Sequence, residues 1–388
     1  MMQQIAVLGS TGSIGQSALE VIRHFPAKFK VLALSTNSRT DILSEQIKEF
    51  HPAFACVRDV QAGRALEAES AAQTKFLLGE SGLEEIIRDK RLDKIVLGIS
   101  GSAGLEPLLK SIEAGCDIVL ANKEALVMAG PILMKRARQK KARIMPVDSE
   151  QSAIWQCLEG RNPDRLKNVY LTASGGPFLQ SDRKQMRGAS VARVLRHPRW
   201  KMGKKISVDS ANLMNKGLEV LEAMYLFNLP ADKIKVLIHP EAIIHSMVEF
   251  MDGVVMAQLS ATDMRIPIQY ALTYPERLSN SLPSIDFYKL KALNFQKPDF
   301  KKFPCLGLAY RAAGEAGTMP CVLNAANEVS VEGFLRGGLA FVSIPGVIAR
   351  VLDAHRKIEN PGLEDILAAD EWARKEARKV IQRERAVL

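Results

Sequence analysis

No cysteine pair in these 388 residues follows a C-x-x-C spacing, and the five present, Cys56, Cys116, Cys157, Cys305 and Cys321, are odd in number and scattered. A disulfide framework and a cysteine zinc cluster are both excluded, and a reducing compartment is expected. Long apolar runs are missing too, none approaching the ~18 residues of a membrane-spanning helix. The strand-like run Gln4-Ile5-Ala6-Val7-Leu8 starts so early that no leader is expected before it, which makes the cytoplasm the expected location, or an organelle stroma if a presequence was trimmed. Internal repeats and low-complexity tracts are absent. A dominant block of one charge is also lacking: 53 Lys and Arg oppose 43 Asp and Glu for a net +10, but the basic residues are dispersed. Only Arg374 to Arg385 clusters them, interleaved with Glu376 and Glu384, and this reads as a solvated helix face. Nucleic acid and membrane are therefore not expected partners, whereas dispersed positive charge suits a phosphorylated small molecule.

What is present is an ordinary globular composition, 47% hydrophobic and 25% charged, long enough for two or three domains. Short apolar runs at Ile5 to Leu8, Val31 to Leu34, Phe54 to Val57, Ile95 to Ile99, Ile118 to Ala121 and Ile144 to Val147 alternate with helical stretches. Unbroken apolar strands between helices imply a parallel sheet buried on both faces. The expected fold is α/β, with an N-terminal doubly wound, Rossmann-like domain over residues 1–148. An α+β domain follows over 149–274, with strands near Val169 to Thr172, Ile234 to His239 and Val254 to Leu259. A proline-rich linker over 275–304 leads to a C-terminal α-helical domain over 305–388.

Directly after the first strand stands Gly9-Ser10-Thr11-Gly12-Ser13-Ile14-Gly15, with a helix expected to open at Gln16. Strand, glycine turn and helix in that order let the backbone approach a pyrophosphate while the helix-start N–H groups bind it. An acid about 20 residues on would mark NAD. Here the second strand ends instead in Ser35-Thr36-Asn37-Ser38-Arg39-Thr40, whose hydroxyls and guanidinium suit the 2′-phosphate of NADP.

Val147-Asp148-Ser149-Glu150 closes the last strand of this region. In extended chain Asp148 and Glu150 project to one side, which suits a hard divalent ion with oxygen ligands. The alternative is that they favour the N-terminus of a following helix. In Ser207 to Glu219, a helix from about Ala211 puts Asn215, Lys216 and Glu219 on one face, a cation and an amide beside a carboxylate. That pattern suits a phosphate pocket beside a metal site, or else a surface ion pair.

These segments, with Ala121-Asn122-Lys123-Glu124, Ala173-Ser174-Gly175-Gly176-Pro177-Phe178, His197-Pro198-Arg199-Trp200-Lys201-Met202-Gly203, His239-Pro240, Ile244 to Val248, Asp263-Met264-Arg265 and Asn324 to Val329, closely resemble the 1-deoxy-D-xylulose 5-phosphate reductoisomerases, nearly end to end. The resemblance implies conversion of 1-deoxyxylulose 5-phosphate to 2-C-methylerythritol 4-phosphate, in the non-mevalonate isoprenoid pathway. The cofactors it implies are NADPH and a divalent metal, Mn²⁺, Mg²⁺ or Co²⁺. It implies a homodimer, with Asp148, Glu150 and Glu219 as metal ligands and, with Lys123, the catalytic set. Ser174, Ser210, Asn215 and Lys216 match the groups that hold the substrate phosphate, with His197 closing over it. Ser149, Lys123 and His245 match further substrate contacts, and Trp200 and Met202 belong to a mobile lid. Gly9, Thr11, Gly12, Ser13, Ile14, Asn37, Ser38, Arg39, Asn122, Glu124, Gly203 and Met264 are implied on the cofactor side. Asn37-Ser38-Arg39 stands where the family is expected to carry Gly-Lys-Asn, and Gln151 where it commonly has His.

The lid expectation also rests on composition, since Arg196, His197, Arg199, Lys201, Lys204 and Lys205 crowd around an apolar Trp200. A rival reading, a semialdehyde dehydrogenase-like enzyme, would need an activated cysteine. Its only candidate is Cys157, whose apolar helical setting would suppress thiolate formation.

Overall fold

The computed structural model describes residues 2–70, 73–200 and 202–387. They form two compact units. The first comprises Met1–Ala125, Leu133–Ser152 and Asp263–Pro283; the second comprises Leu126–Ile132, Ala153–Thr262 and Ser284–Leu388.

The amino-terminal elements alternate: β1 (Gln3–Leu8), α1 (Ser13–His24), β2 (Phe29–Thr36), α2 (Thr40–Phe50), β3 (Phe54–Val57), α3 (Val60–Glu69), β4 (Lys75–Leu78), α4 (Gly79–Ile87), β5 (Lys94–Leu97), α5 (Leu105–Glu113), β6 (Asp117–Leu120), α6 (Lys123–Lys140), β7 (Ile144–Pro146) and α7 (Ser149–Leu158). The seven strands are parallel, in the order β4-β3-β2-β1-β5-β6-β7. Winding reverses between β1 and β5, so a crevice is expected beyond their carboxyl ends. Ile5 to Leu8, Phe54 to Val57 and Ile95 to Leu97 are buried, which is why they read as unbroken apolar runs.

Then follow β8 (Leu166–Ala173), α8 (Arg183–Arg187), α9 (Val191–Val194), α10 (Lys204–Ala211), α11 (Met214–Leu226), β9 (Ile234–Ile238), β10 (Ile244–Phe250), β11 (Val255–Leu259), α12 (Arg265–Thr273), α13 (Pro304–Glu315), α14 (Met319–Leu335), α15 (Ile344–Ala354) and α16 (Leu363–Val387). A second sheet runs β11-β10-β8-β9, with β8 and β9 parallel and β10 antiparallel to both its neighbours. Its apolar face and α13 to α16 share one core, which includes Leu171, Leu218, Leu306 and Val347.

Several expectations are corrected. The units cut the chain differently from the four ranges read from sequence, because 263–283 returns to the first unit. There α12 packs on α1, β6 and β7, and Lys94 Nζ donates to the Leu272 carbonyl at 2.5 Å. Strands β4 and β10 were not expected. The helix after β1 opens at Ser13, not Gln16, because the turn needs only four residues, closed by Gly12 N–H to Gly9 O at 3.1 Å. The basic carboxyl-terminal stretch is not simply a solvated face. Along α16, Ile366, Ala369, Ala373, Ala377 and Val380 form a buried stripe at helical spacing, and Arg374 is held by Asp370 and Glu328.

Candidate active site

In the first unit the glycine turn lies at the winding reversal. Gly9 takes φ +83°, and a Cβ there would lie 2.9 Å from the carbonyl carbon of Gly98, just past β5. A Cβ on Gly15 would lie 2.4 Å from Gly9 O. Both positions require glycine, and the turn is thereby pressed against the sheet. Ser10 Oγ donates to Gln46 Oε1 at 2.7 Å, and the Thr11 and Thr36 hydroxyls are bonded at 2.7 Å. Gly12, Ser13 and Ile14 form the start of α1, where Gly12 supplies no capping side chain and the helix dipole favours an anion. Past β2, Asn37, Ser38 and Arg39 are exposed, and the Arg39 guanidinium lies 3.3 Å from Asp41. Asn122 caps α6, accepting from Ala125 N–H and donating to the Ile99 and Gly101 carbonyls, so its side chain fastens the loop after β5. Glu124 is buried in the first turn of α6, while Met264 precedes α12.

Of the two readings of the acidic pair, the helix-start alternative holds and the extended one does not. Strand β7 stops at Pro146, and Asp148 O accepts from Ser152 N–H at 2.8 Å, so Asp148 stands at the head of α7 with Ser149 and Glu150 in its first turn. Buried Lys123 is ion-paired to Asp148, and Ser149 Oγ donates to Glu150 at 2.5 Å.

In the second unit β8 runs into Ser174-Gly175-Gly176, with both glycines at positive φ. A Cβ on Gly176 would lie 2.8 Å from Ser210 O, so this turn rests on the end of α10. Ser174 Oγ is 3.0 Å from His197 Nε2, while His197 Nδ1 accepts from the N–H groups of Trp200 (2.9 Å) and Arg199 (3.2 Å). Those two donors place the imidazole hydrogen on Nε2, which donates to Ser174. Arg199 also donates to Pro240 O, and the Trp200 and His245 rings are 6.3 Å apart. Buried His245 has Nε2 3.3 Å from Ser260 O. Lys201 lies outside the described residues. Lys204 and Lys205 open α10 behind Gly203 instead of lying in the loop.

The helix expected from Ala211 is two helices. Leu213 is left-handed, with φ 61°, and Asn212 Oδ1 accepts from Met214 N–H at 2.9 Å. On α11 the expected face does form: Asn215 Nδ2 donates to Glu219 Oε1 at 2.5 Å, and buried Lys216 pairs with Oε2. Glu219 is fully buried. Gly217, on the same helix, brings the backbone so close to α13 that its Cβ would be 2.4 Å from the Ala309 methyl. Asp209 and Asn327 were given no role by sequence reasoning. Asp209, 1% exposed, meets Lys205 at 2.8 Å and Asn327 at 2.9 Å. Their signal was present in the Ser207 to Glu219 and Asn324 to Val329 motifs, but only three-dimensional proximity connects them.

The donor chemistry fits both cofactors implied by the sequence. A turn that admits no Cβ at Gly9 or Gly15 suits a pyrophosphate. The carboxylates of buried Glu219 and of partly buried Asp148 and Glu150 supply the oxygen donors that a hard cation takes. Cys157 is buried, and desolvation raises its thiol pKa, so it does not suit a nucleophile.

Family models for 1-deoxy-D-xylulose 5-phosphate reductoisomerase match residues 5–130 and, as its C-terminal domain, 144–227; the DXP reductoisomerase C-terminal domain matches 259–376. The 1-deoxy-D-xylulose 5-phosphate reductoisomerase of Pelotomaculum thermopropionicum is 48% identical over 98% of this chain and 99% of its own length. The chain belongs to the 1-deoxy-D-xylulose 5-phosphate reductoisomerase family. The reductoisomerase of Thermodesulfovibrio yellowstonii is 48% identical over 98% of this chain and 100% of its own. A solved DOX-P reductoisomerase in complex with NADPH, fosmidomycin and magnesium superposes with a TM-score of 0.93, at 41% identity and 98% coverage of both chains. The reductoisomerase of Zymomonas mobilis in complex with NADPH gives 0.91 at 37% identity, covering 98% of this chain and 99% of that one.

Proposed function

We propose that this protein isomerises and reduces 1-deoxy-D-xylulose 5-phosphate to 2-C-methyl-D-erythritol 4-phosphate, using NADPH and a divalent metal. Beyond family membership, the observation that carries the reading is the α11 face, where Lys216 and Asn215 converge on the buried carboxylate of Glu219. Asp148, Glu150 and Glu219 are the proposed metal ligands. The bound ion supplies Lewis acidity toward adjacent carbonyl and hydroxyl oxygens of the ketose, and NADPH supplies the hydride.

The remaining work falls to this chain's side chains. Lys216, Ser174, Ser210 and Asn215 bind the phosphate dianion and so fix one end of the substrate. Holding the reacting carbons in register favours re-addition after retro-aldol cleavage over loss of the fragments. The aldehyde formed by re-addition would be reduced at its carbonyl carbon by that hydride, with a proton from water completing the hydroxyl. His197, with hydrogen on Nε2, can donate to a phosphate oxygen as readily as to Ser174. Trp200 and His245 wall the carbon skeleton from water. Lys123, beside Asp148, donates to an oxygen of the bound sugar and offsets developing negative charge. Gly9, Thr11, Gly12, Ser13 and Ile14 hold the pyrophosphate. Asn37, Ser38 and Arg39 hold the 2′-phosphate. Asn122, Glu124, Gly203 and Met264 complete the proposed cofactor contacts.

The homodimer belongs to the same proposal. It is supported by the edge strand β11, where Val255 is exposed, and by exposed Met251 and Val254 in the turn before it. No described helix is long and apolar enough to cross a membrane. A cytoplasmic location is the accompanying proposal. The deciding assay follows NADPH absorbance with 1-deoxyxylulose 5-phosphate and Mn²⁺ or Mg²⁺, with and without a chelator. Turnover that a chelator abolishes is expected; failure to consume the sugar phosphate would overturn the reading.

A further inference from the structure

Asp209 is 1% exposed, yet it is an acid and belongs to none of the proposed binding sets. Its carboxylate joins two elements. Lys205, four residues earlier and a quarter exposed, reaches Oδ2 at 2.8 Å from the first turn of α10, where the Trp200 loop ends. Asn327, fully buried on α14, donates to Oδ1 at 2.9 Å. Ser210 follows Asp209 directly, and its carbonyl supports the Gly176 turn that presents Ser174. One buried acid therefore ties the end of the basic loop, a phosphate-binding hydroxyl and the C-terminal helices together.

A buried carboxylate is costly to desolvate and tolerates only the geometry that satisfies it. Its partners lie on α10 and α14, so the carboxylate resists rotation or sliding of α10 against α14. We propose that Asp209, with Lys205 and Asn327, is a positioning group that holds Ser210 and the base of the Trp200 loop in register for the substrate phosphate. This assigns the C-terminal helical segment a part in substrate recognition although it supplies none of the proposed ligands. The inference rests on the phosphate-site reading given above.

The test uses full-length Asp209→Asn and Lys205→Met with the double variant. In Asp209→Asn the amide oxygen still accepts from Asn327, but the ion pair is lost. A misplaced binding group commonly costs about 10- to 100-fold, so KM for the sugar phosphate should rise within that range while kcat falls less. NADPH affinity should change much less than KM, because of the proposed cofactor contacts only Gly203, the N-cap of α10, lies in the same unit as Asp209. The double variant should be no worse than the weaker single variant, as expected for partners in one interaction. Trypsin cleavage after Arg196 and Arg199 should remain fast in the substrate-saturated variants. If Asp209→Asn does not fold, Lys205→Met carries the same comparison from the exposed end of the pair. An unchanged KM in either folded variant, or strictly additive losses, would overturn the proposal. Wild-type enzyme that fails to turn over the sugar phosphate would instead overturn the underlying function.

Discussion

Asn215 donates its amide hydrogen to Glu219 at 2.5 Å, one helical turn along α11, and Lys216 takes the other oxygen of the same carboxylate. A cation bound by Glu219 would compete for the oxygens that now accept from Asn215 and Lys216, freeing both donors for another anion, the substrate phosphate. Glu219→Gln keeps the shape and removes the charge. Turnover should fall at least about 100-fold while NADPH affinity persists, as measured by steady-state rates and cofactor fluorescence titration. Unaltered metal dependence in this variant would remove Glu219 from the ligand set and bring forward Glu222, which is also fully buried on α11.

Arg39 is exposed at the head of α2, and among the described residues Asp41 meets its guanidinium, at 3.3 and 3.4 Å. A lost charge-assisted bond costs ~1.5–3 kcal/mol, so Arg39→Ala should weaken NADPH about 10- to 100-fold and leave NADH nearly unchanged. Asp41→Asn should move NADPH affinity the other way, because a competitor for the guanidinium is gone. Equal losses for both cofactors in Arg39→Ala would show that the loop does not read the 2′-phosphate.

His197 and Arg199 fasten the basic loop at Ser174 and Pro240, at bonds of 3.0 and 2.9 Å. On the proposed reading, the substrate phosphate would take over the hydrogen bond between Ser174 and His197. Tryptic cleavage between Arg193 and Lys205 should therefore slow markedly in the ternary complex, and Trp200 emission should change. A Trp200→Phe control subtracts Trp155 and Trp372. Identical cleavage rates with and without ligands would mean a static loop.

At Gly217 two effects oppose each other. Alanine gains ~1 kcal/mol in a helix. However, its methyl would lie 2.4 Å from that of Ala309, far inside the ~3.5–4.0 Å of an ordinary carbon contact. Overpacking should win, costing about 1–3 kcal/mol. Calorimetry on Gly217→Ala should show a lower Tm, with a raised KM for the sugar phosphate because Asn215 and Lys216 ride on the displaced helix.

Burial raises the thiol pKa of Cys157 and that of Cys305 above the ordinary range, and pushes Cys56 up to about 12. Burial raises the Cys116 thiol as well, so exposure decides: iodoacetamide at neutral pH should modify Cys116 first, the one cysteine that is not buried, and leave turnover intact. Activity lost in step with Cys157 modification would revive a thiol mechanism.

The parallel sheet was legible because strands covered on both faces must be apolar throughout, as Phe54 to Val57 are. Lys75–Leu78 escaped notice because it is a four-residue strand with an exposed lysine at its head. Strand β10 was hidden because it buries His245 and Ser246, so no apolar run or alternation marks it. The Asn215, Lys216 and Glu219 face followed from helical spacing alone. The break ahead of it did not, since a left-handed Leu213 is maintained by Asn212 capping and by packing, and no local rule announces it. Asp148 and Glu150 were recognised as a pair, and of the two readings of their backbone the helix-start alternative holds: a three-residue strand ending in proline leaves both at the head of α7.

Segment 263–283 also decides when the first unit can be finished. As the chain leaves the ribosome, β1 to β7 are all made by residue 146, yet Ile268, Ala271 and Leu272, buried on α12 where it packs on α1, β6 and β7, are not made until the second sheet has emerged. Until then the surface that α12 covers is exposed to water and to chaperones. A gene fragment ending near 150 would make that temporary exposure permanent, so a soluble nucleotide-binding fragment should require 263–283 to be spliced back.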